Sequence, residues 1–311
     1  MNPMIKAVLK VLTGAVVSVK KHYKLYRSIL IAPYLLIRPI FRALDHKMMV
    51  LDREIPVRVF KPQKNRSGKV LIFFHGGGWV TGNIDTYTPI CANMAKVTGY
   101  TVVSVDYRLA PENPFPAGLE DCYYVTEEIL ADPCIVDCAL GDITLIGDSA
   151  GGNLAAAVSL MARDKGTFLP ERQILIYPAT HYDHSDSSPF QSVHDNGTDY
   201  ILTAERIEEY MELYTQNEEN RRNPYVAPII APDLSRQPKT LIITGEFDPL
   251  RDEGEAYGIK LREFGNEVRI FRISEAIHGF LSLPKKARSV TQCYGHIMRF
   301  LNDEEDADGG Q

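Results

Sequence analysis

One pentapeptide constrains this 311-residue chain more than any other feature: Gly147-Asp148-Ser149-Ala150-Gly151. It follows directly on the β-branched, apolar run 142–147 and opens the helix-like stretch 150–165. A strand that turns straight into a helix must redirect its backbone within a residue or two, and small residues on both sides let it do so. The turn lifts the Ser149 hydroxyl above the sheet edge. It also sets that hydroxyl at a helix N-terminus, whose free N–H groups favour a developing negative charge. The plainer readings are a chance match on a glycine-rich turn and a serine that only caps the helix. The strand before it and the helix after it argue against both.

The rest of the chain repeats that strand-then-helix rhythm. Short apolar runs stand at 56–60, 69–74, 101–106, 142–147, 173–178, 239–244 and 267–272. Several are apolar on both faces, as strands covered by helices on each side must be. Helix-like stretches lie near 88–98, 117–131, 150–165, 252–264 and 286–302. The alternation predicts an α/β chain with a mostly parallel sheet between two helical layers. The link Lys64–Gly68 between the first two runs is too short for a parallel crossover, so that pair is expected to be antiparallel. The rhythm breaks at 181–222, which opens polar and loop-like and then offers one helix from Thr203, with Glu208 and Glu209 on its polar side.

Three further features fall at predicted strand ends, where open α/β sheets place their ligands. His75-Gly76-Gly77-Gly78-Trp79 closes the run 69–74. Three consecutive glycines cost entropy on folding and are of use where backbone N–H groups must approach an oxyanion closely. A phosphate-cradling loop would end in G-K-[ST], which is missing here, and the only tryptophan argues against a flexible linker. Run 239–244 leads into Asp248, and run 267–272 leads into His278-Gly279. A serine hydroxyl is a poor nucleophile until a base takes its proton, and an imidazole base needs a carboxylate to hold its tautomer. Glu246 and Asp252 remain rivals to Asp248. Asp252 fits better as a first-turn acid of the helix at 252–264, and Glu246 lies nearer the strand.

Charge and cysteine usage narrow the setting. A net charge of −6 and a pI near 5.8 argue against a nucleic-acid binder. The charge is uneven: residues 1–48 carry nine Lys/Arg against Asp45, a net +8, which leaves −14 on the remainder. Five cysteines (Cys91, Cys122, Cys134, Cys138 and Cys293) form no regular framework and fit reduced thiols, hence a cytoplasmic setting. The N-terminal apolar runs are broken by Lys6 and Lys10, then by Pro33, Arg38 and Pro39, so neither reaches the roughly 20 residues of a spanning helix. Ile5, Val8, Leu9, Leu12, Val16, Val19 and Tyr23 do recur at helical spacing, with Lys6, Lys10, Lys20 and Lys24 on another longitude. Such a helix packs on its own protein or lies weakly on an anionic membrane surface. His181, His184 and His194 sit in a loop-like stretch, where a metal site is not expected, and a serine triad needs neither metal nor cofactor.

The motifs together are dense. HGGGW at 75–79, DYRLAPENPFPAGLED at 106–121, GDSAGGNLAAA at 147–157, FDPLRDEG at 247–254 and IHGF at 277–280 resemble the hormone-sensitive-lipase-like family of esterases. More narrowly, they resemble its bacterial branch with a GDSAG turn. The match runs over about 54–302. It implies an α/β-hydrolase fold and a Ser149, Asp248, His278 triad. It also implies an oxyanion hole from the N–H groups of Gly77, Gly78 and Ala150. In the family His75 and the segment holding Asp106, Arg108 and Glu112 brace the glycine loop rather than react, and Asp148 is expected to do the same here. The family also builds a cap from its N-terminal segment and an insertion. That assigns 1–45 and 181–222 to the cap, 46–180 and 223–303 to the catalytic domain, and 304–311 to a disordered tail. Two stretches depart from the family pattern, the basic N-terminus and the segment 132–141 with its two cysteines.

The resemblance implies a serine carboxylesterase acting on small esters with short to medium acyl chains, and a homodimer paired through the last strand, 267–272. Two other activities share the scaffold. The plant gibberellin receptors resemble this family but lack the catalytic histidine, which His278 supplies here. Arylacetamide deacetylases use similar machinery, which leaves an amidase or deacetylase as an alternative.

Overall fold

The computed structural model describes residues 18–37, 43–50, 52–62, 68–132 and 143–304. Residues 1–17 of the N-terminal pattern, Cys134, Cys138 and the tail from 305 lie outside the described residues. The strands are β1 (Leu44–Val50), β2 (Arg53–Phe60), β3 (Val70–Phe74), β4 (Thr101–Val105), β5 (Ile143–Asp148), β6 (Arg172–Ile176), β7 (Lys239–Phe247) and β8 (Val268–Ile277). The helices are α1 (Val19–Ile37), α2 (Thr88–Thr98), α3 (Ala117–Ala131), α4 (Ala150–Lys165), α5 (Gln191–Asn196), α6 (Ala204–Thr215), α7 (Glu218–Arg221), α8 (Arg251–Glu263) and α9 (Arg288–Leu301). The described strands make one sheet in the order β1-β2-β4-β3-β5-β6-β7-β8, parallel from β4 to β8.

Two features differ from the sequence expectation. The first two runs do run in opposite directions, but they are not neighbours: β2 pairs with β4, and β4 separates it from β3. The reason is burial. Every side chain of β3 is buried, so β3 needs a partner on each edge as well as cover on both faces, and β4 and β5 supply the edges. β1 was not expected as a strand. It pairs antiparallel with β2 at the sheet edge and exposes most of its side chains, so it carries little apolar signal.

The chain order around β3 creates the place for a site. From β3 the chain steps to β4 on one side, then crosses back to β5 on the other. The carboxyl ends of β3 and β5 therefore diverge at a topological switch point, where open α/β sheets bind ligands. Phe74 is in register with Gly147, which sets the loop after β3 beside the turn after β5. Behind them α4 is buried from Ala150 to Ala162, and its run of alanines lets it lie close on the sheet.

A helical layer covers the same end of the sheet. α1 meets α6: the Glu209 carboxylate accepts from the Val19 N–H at 2.8 Å and from the Ser18 hydroxyl. That carboxylate satisfies donors at the start of α1 that no turn of its own helix can reach. Arg27 of α1 reaches down to the Val80 and Ala110 carbonyls at 2.7 Å each and pairs with Glu112 at 3.0 Å. Thr203 caps α6 by accepting from the Arg206 N–H. Behind α6, buried His184 bonds Glu253 of α8 at 2.7 Å, and the His184 N–H donates to Glu208 of α6. Glu208 also pairs with Arg221, and Glu253 accepts from the N–H groups of Thr180 and His181. The polar side that the sequence assigns to Glu208 and Glu209 is thus turned inward, to partners distant in the chain.

Burial by itself disfavours the His184 imidazolium, and Arg221 adds to that, but Glu253 and Glu208 outweigh both and raise its pKa. A histidine with a raised folded-state pKa contributes stability that is fully present below its ordinary value, near 6.5, and is lost as pH rises through the folded value. His184→Gln keeps a donor for Glu253 without a proton to lose. Melting curves from pH 6 to 9 should show the wild type losing about 1–2 °C more than the variant, the shift that about 1 kcal/mol produces in a chain of this length. Parallel pH dependences would show that His184 is not charged in the fold.

Candidate active site

The turn at Ser149 explains its own sequence. Ser149 has φ 55° and ψ −120°, a backbone conformation unfavourable for any side-chain-bearing residue. The surroundings hold it there: the Ser149 N–H donates to the Ile176 carbonyl at 2.8 Å, and the Ser149 carbonyl accepts from Asn153 at 3.0 Å. A Cβ on Gly151 would stand 1.9 Å from the Phe74 carbonyl oxygen, and one on Gly147 would stand 2.2 Å from the Gly151 oxygen. Only glycine fits at either position.

β7 and β8 deliver the other two groups. Asp248 follows β7 and is fully buried; its Oδ1 accepts from the Leu250 N–H at 2.8 Å and its Oδ2 meets His278 Nδ1 at 2.7 Å. His278 follows β8 and turns Nε2 toward Ser149 Oγ at 2.9 Å. The carboxylate beside Nδ1 keeps the ring proton there, which leaves the Nε2 lone pair facing the serine hydroxyl. Tyr177, 4.7 Å from the ring between centroids, packs against the imidazole. The rivals of Asp248 are engaged elsewhere. Asp252, in the first turn of α8, accepts from the Ser192 N–H at 2.8 Å, and Glu246 accepts from the Glu275 N–H at 2.6 Å.

The glycine loop runs along β5 and turns at Gly77 and Gly78, whose φ values are 116° and 61°. A Cβ on Gly78 would lie 2.4 Å from the Tyr210 ring of α6. The loop is held from both ends. Gly76 N–H donates to Asp148 Oδ1 at 2.8 Å, Tyr107 donates to the His75 carbonyl at 2.7 Å, and Thr81 N–H and hydroxyl both donate to the Gly77 carbonyl at 2.9 Å. Trp79 stacks on Tyr214 with ring centroids 4.5 Å apart. Among the described residues the N–H groups of Gly77, Gly78 and Ala150 donate to no protein acceptor. Those of Gly77 and Gly78 belong to the loop, and that of Ala150 opens α4 beside Ser149.

The supporting residues divide into two sets. His75 is buried, stacks on Tyr107 at 4.2 Å and bonds the Gly76 carbonyl; burial pushes its pKa down to about 4, so it is neutral at pH 7. Burial pushes the Asp148 carboxyl up to about 6, against hydrogen bonds from Tyr87, Gly76 and Tyr177. Both stand directly behind the loop. The charged residues of the segment 106–112 are less direct than its Tyr107 hydroxyl and Ala110 N–H, which donate to the His75 and Trp79 carbonyls. Arg108 pairs with Asp121 at 2.8 Å, Asp106 accepts from the Ile84 N–H at 3.2 Å, and Glu112 reaches the loop only through Arg27, which bonds Val80. The loop is therefore braced by Asp148 and tyrosine hydroxyls more than by an ionic cluster.

Ser149, His278, Gly77, Gly78 and Ala150 face one cavity of about 320 Å³, walled by Leu202, Ile207 and Tyr210 from the 181–222 segment. That is at the small end for ligand sites. Reading the sequence missed this wall and Arg206 within it; the periodicity of the helix from Thr203 was the available signal. His181 bonds within its own turn to Asp183, and His194 bonds the Ser188 carbonyl. Among the described residues no three His, Cys, Asp or Glu side chains are gathered where a metal ion could sit.

Comparison with known proteins adds four findings. Residues 71–282 match a family described as the alpha/beta hydrolase fold. The chain is 35% identical over 262 residues to an arylesterase of Saccharolobus solfataricus, covering 84% of each. It is also 35% identical over 252 residues to a carboxylesterase of Mycobacterium tuberculosis, covering 80% of this chain and 78% of that one. The structure of a hyperthermophilic esterase from Pyrobaculum calidifontis superposes with a TM-score of 0.86 at 33% identity, covering 97% of this chain and 98% of that one.

Asp148 offers a direct test of the bracing. Asp148→Ala leaves the Gly76 N–H and two tyrosine hydroxyls without their acceptor, at about 1–3 kcal/mol for each buried group left unpaired. Asp148→Asn keeps an acceptor for Gly76. Chemical denaturation should place the alanine variant about 3 kcal/mol or more below wild type, with the asparagine variant losing less than half as much. Equal losses would show that the acceptor offered to the Gly76 N–H does not brace the loop.

Proposed function

Because this chain belongs to the alpha/beta hydrolase fold family and is a carboxylic ester hydrolase, we propose that Ser149, His278 and Asp248 hydrolyse carboxylic esters through an acyl-enzyme. The observation that carries this reading is the unbroken hydrogen-bond chain from Ser149 Oγ through both nitrogens of His278 to buried Asp248, at 2.9 and 2.7 Å. Ser149 attacks the ester carbonyl while His278 Nε2 takes its proton, and Asp248 stabilises the imidazolium without itself becoming protonated. The carbonyl oxygen turns anionic between the N–H groups of Gly77, Gly78 and Ala150. Their positions are preset by glycine geometry, so no reorganisation is needed as charge develops. His278 then protonates the departing alcohol and activates the water that releases the acid.

The same reading assigns the surroundings. Residues 18–37 and 181–222 act as a cap, the bound at 45 moving back because Leu44 and Asp45 belong to β1 of the sheet, and the 320 Å³ cavity beside Leu30, Ile207 and Tyr210 favours short to medium acyl chains. A neighbouring cavity of about 420 Å³ shares Leu30, Gly77, Tyr87 and Ser282 with it and gives room to the other half of an ester. The GDSAG sequence at the turn supports that branch of the hormone-sensitive-lipase-like family. β8, at the end of the sheet, offers an edge for dimer pairing. Buried free thiols at Cys91, Cys122 and Cys293 support a reducing, cytoplasmic setting. No helix among the described residues is long and apolar enough to cross a membrane. Exposed Leu25 and Ile29 on α1, with exposed Lys21 and Lys24, support weak contact with an anionic surface.

Two measurements test these assignments. Ser149→Ala should lower the hydrolysis of p-nitrophenyl butyrate by about 10⁴-fold or more with an unchanged melting temperature, and should no longer be labelled by a fluorophosphonate. Retention of activity within tenfold would overturn the mechanism, and failure of the wild type to be labelled would favour a receptor. Sedimentation with anionic vesicles should pull down a fraction of the protein that falls as salt rises, whereas no binding at low salt would reject the surface contact.

A further inference from the structure

Arg206 is a cation that no carboxylate among the described residues pairs with. It lies in the first turn of α6, the helix end at which a positive charge is disfavoured. Its side chain lines the cavity that holds Ser149 and His278, on a wall otherwise made of Ile201, Leu202, Ile207, Tyr210 and Leu250. Nη1 donates to the Ile201 carbonyl at 3.0 Å and Nη2 to the Tyr26 hydroxyl at 2.9 Å, and the guanidinium sits over the Tyr26 ring at 5.6 Å. Both acceptors are neutral. Arg27, Arg108 and Arg221 all find carboxylates; Arg206 pairs with none among the described residues, although Glu205, Glu208 and Glu209 share its helix. A guanidinium has five N–H donors in a fork that matches a carboxylate, and most of them remain for a ligand. Its field is felt at Tyr210, where it works against the burial that raises the phenol, and Tyr210 is the ring that covers Gly78.

A half-buried, uncompensated charge on an apolar cavity wall is costly unless something of opposite sign arrives. We propose that Arg206 selects esters that carry a carboxylate, either half-esters of dicarboxylic acids or acylated hydroxy acids. The inference rests on the hydrolase reading of Ser149 given above. Hydrolysis then adds water across one ester bond: the carbonyl carbon gains the hydroxyl, the C–O bond to the alcohol breaks, and the alcohol leaves with the proton. The second carboxylate stays unchanged on Arg206. Because the charge on the substrate is remote from the reacting carbonyl, the contact acts on binding and placement rather than on the bond being broken.

The test compares each anionic ester with its neutral counterpart at pH 7.5. Monomethyl glutarate against dimethyl glutarate places the charge on the acyl side, and acetoxyacetate against methyl acetoxyacetate places it on the alcohol side. In Arg206→Gln the anionic-to-neutral ratio of kcat/KM should fall about 10- to 100-fold in one of the two arms, the range expected for a lost hydrogen bond to a charged group. The loss should appear mainly in KM, and Arg206→Lys should recover part of it. The arm that responds identifies the side of the ester that Arg206 reads. Fluorophosphonate labelling of Ser149 in the variants reports an assembled site. In the wild type, free glutarate should inhibit hydrolysis of the neutral diester more strongly than 1,5-pentanediol does, and added salt should weaken that inhibition. An unchanged ratio in both arms, or equal inhibition by glutarate and the diol, would overturn the assignment of Arg206. Loss of the hydrolase reading would show separately, as turnover that survives Ser149→Ala.

Discussion

The active site depends on one close approach, that of the Gly151 backbone to the carbonyl of Phe74. A Cβ there would stand 1.9 Å from that oxygen. The contact presses the start of α4 onto the end of β3 and so brings two segments together that lie more than seventy residues apart. One carries Ser149, the other the glycine loop. Because interiors are packed to crystal density, even a methyl group at Gly151 would drive the two segments apart. The unfavourable backbone of Ser149, at φ 55°, is kept by the same compression together with its hydrogen bond to Ile176.

Around that contact the polar groups are arranged by depth. Closest to it, Asp148 joins β5 to the glycine loop through the Gly76 N–H and gathers Tyr87 and Tyr177. His75 stays neutral because nothing nearby repays its burial with a charge. Farther out, hydrogen bonds and ion pairs fasten the helical layer: Glu209 accepts at the start of α1, Arg27 links Glu112 to the Val80 carbonyl, and His184 links Glu253 to Glu208. These outer contacts set the cavity walls, since Ile207 and Tyr210 ride on the helix they hold. Substrate preference is therefore coupled to how the layer packs, while the reacting groups rest on the sheet.

The fold class could be read from strands that are apolar on both faces and alternate with helices. The triad order could be read from three features at strand ends. Where the reading differed from the structure, the missing information was lateral. Nothing local in 56–60 and 69–74 says that β4 intervenes between them. β1 escaped notice because an edge strand with exposed side chains has no alternation to find. Arg108 and Glu112 look like braces of the glycine loop in sequence, but their partners are Asp121 and Arg27. The neutral wall of the cavity, and the arginine set into it, come from a helix whose apolar side is visible while its neighbours are not.

By itself the sequence determined which residues could react. Gly147 is demanded by the local turn and Gly77 and Gly78 by their positive φ, whereas Gly151 is demanded by the approach of Phe74; a serine, a histidine and an acid at strand ends carry their chemistry with them. Tertiary structure decided among the acids that the residues themselves left open: Asp248 reaches His278, whereas Asp252 in the first turn of α8 and Glu246 at the end of β7 accept from the Ser192 and Glu275 N–H groups. It alone decided that Glu208 and Glu209 face inward and that Arg206 lines the cavity that holds the serine. The physical reason is the range of the interactions. Turn geometry and periodicity act over a few residues, whereas burial, ion pairing and cavity shape depend on segments that meet only once the sheet has formed.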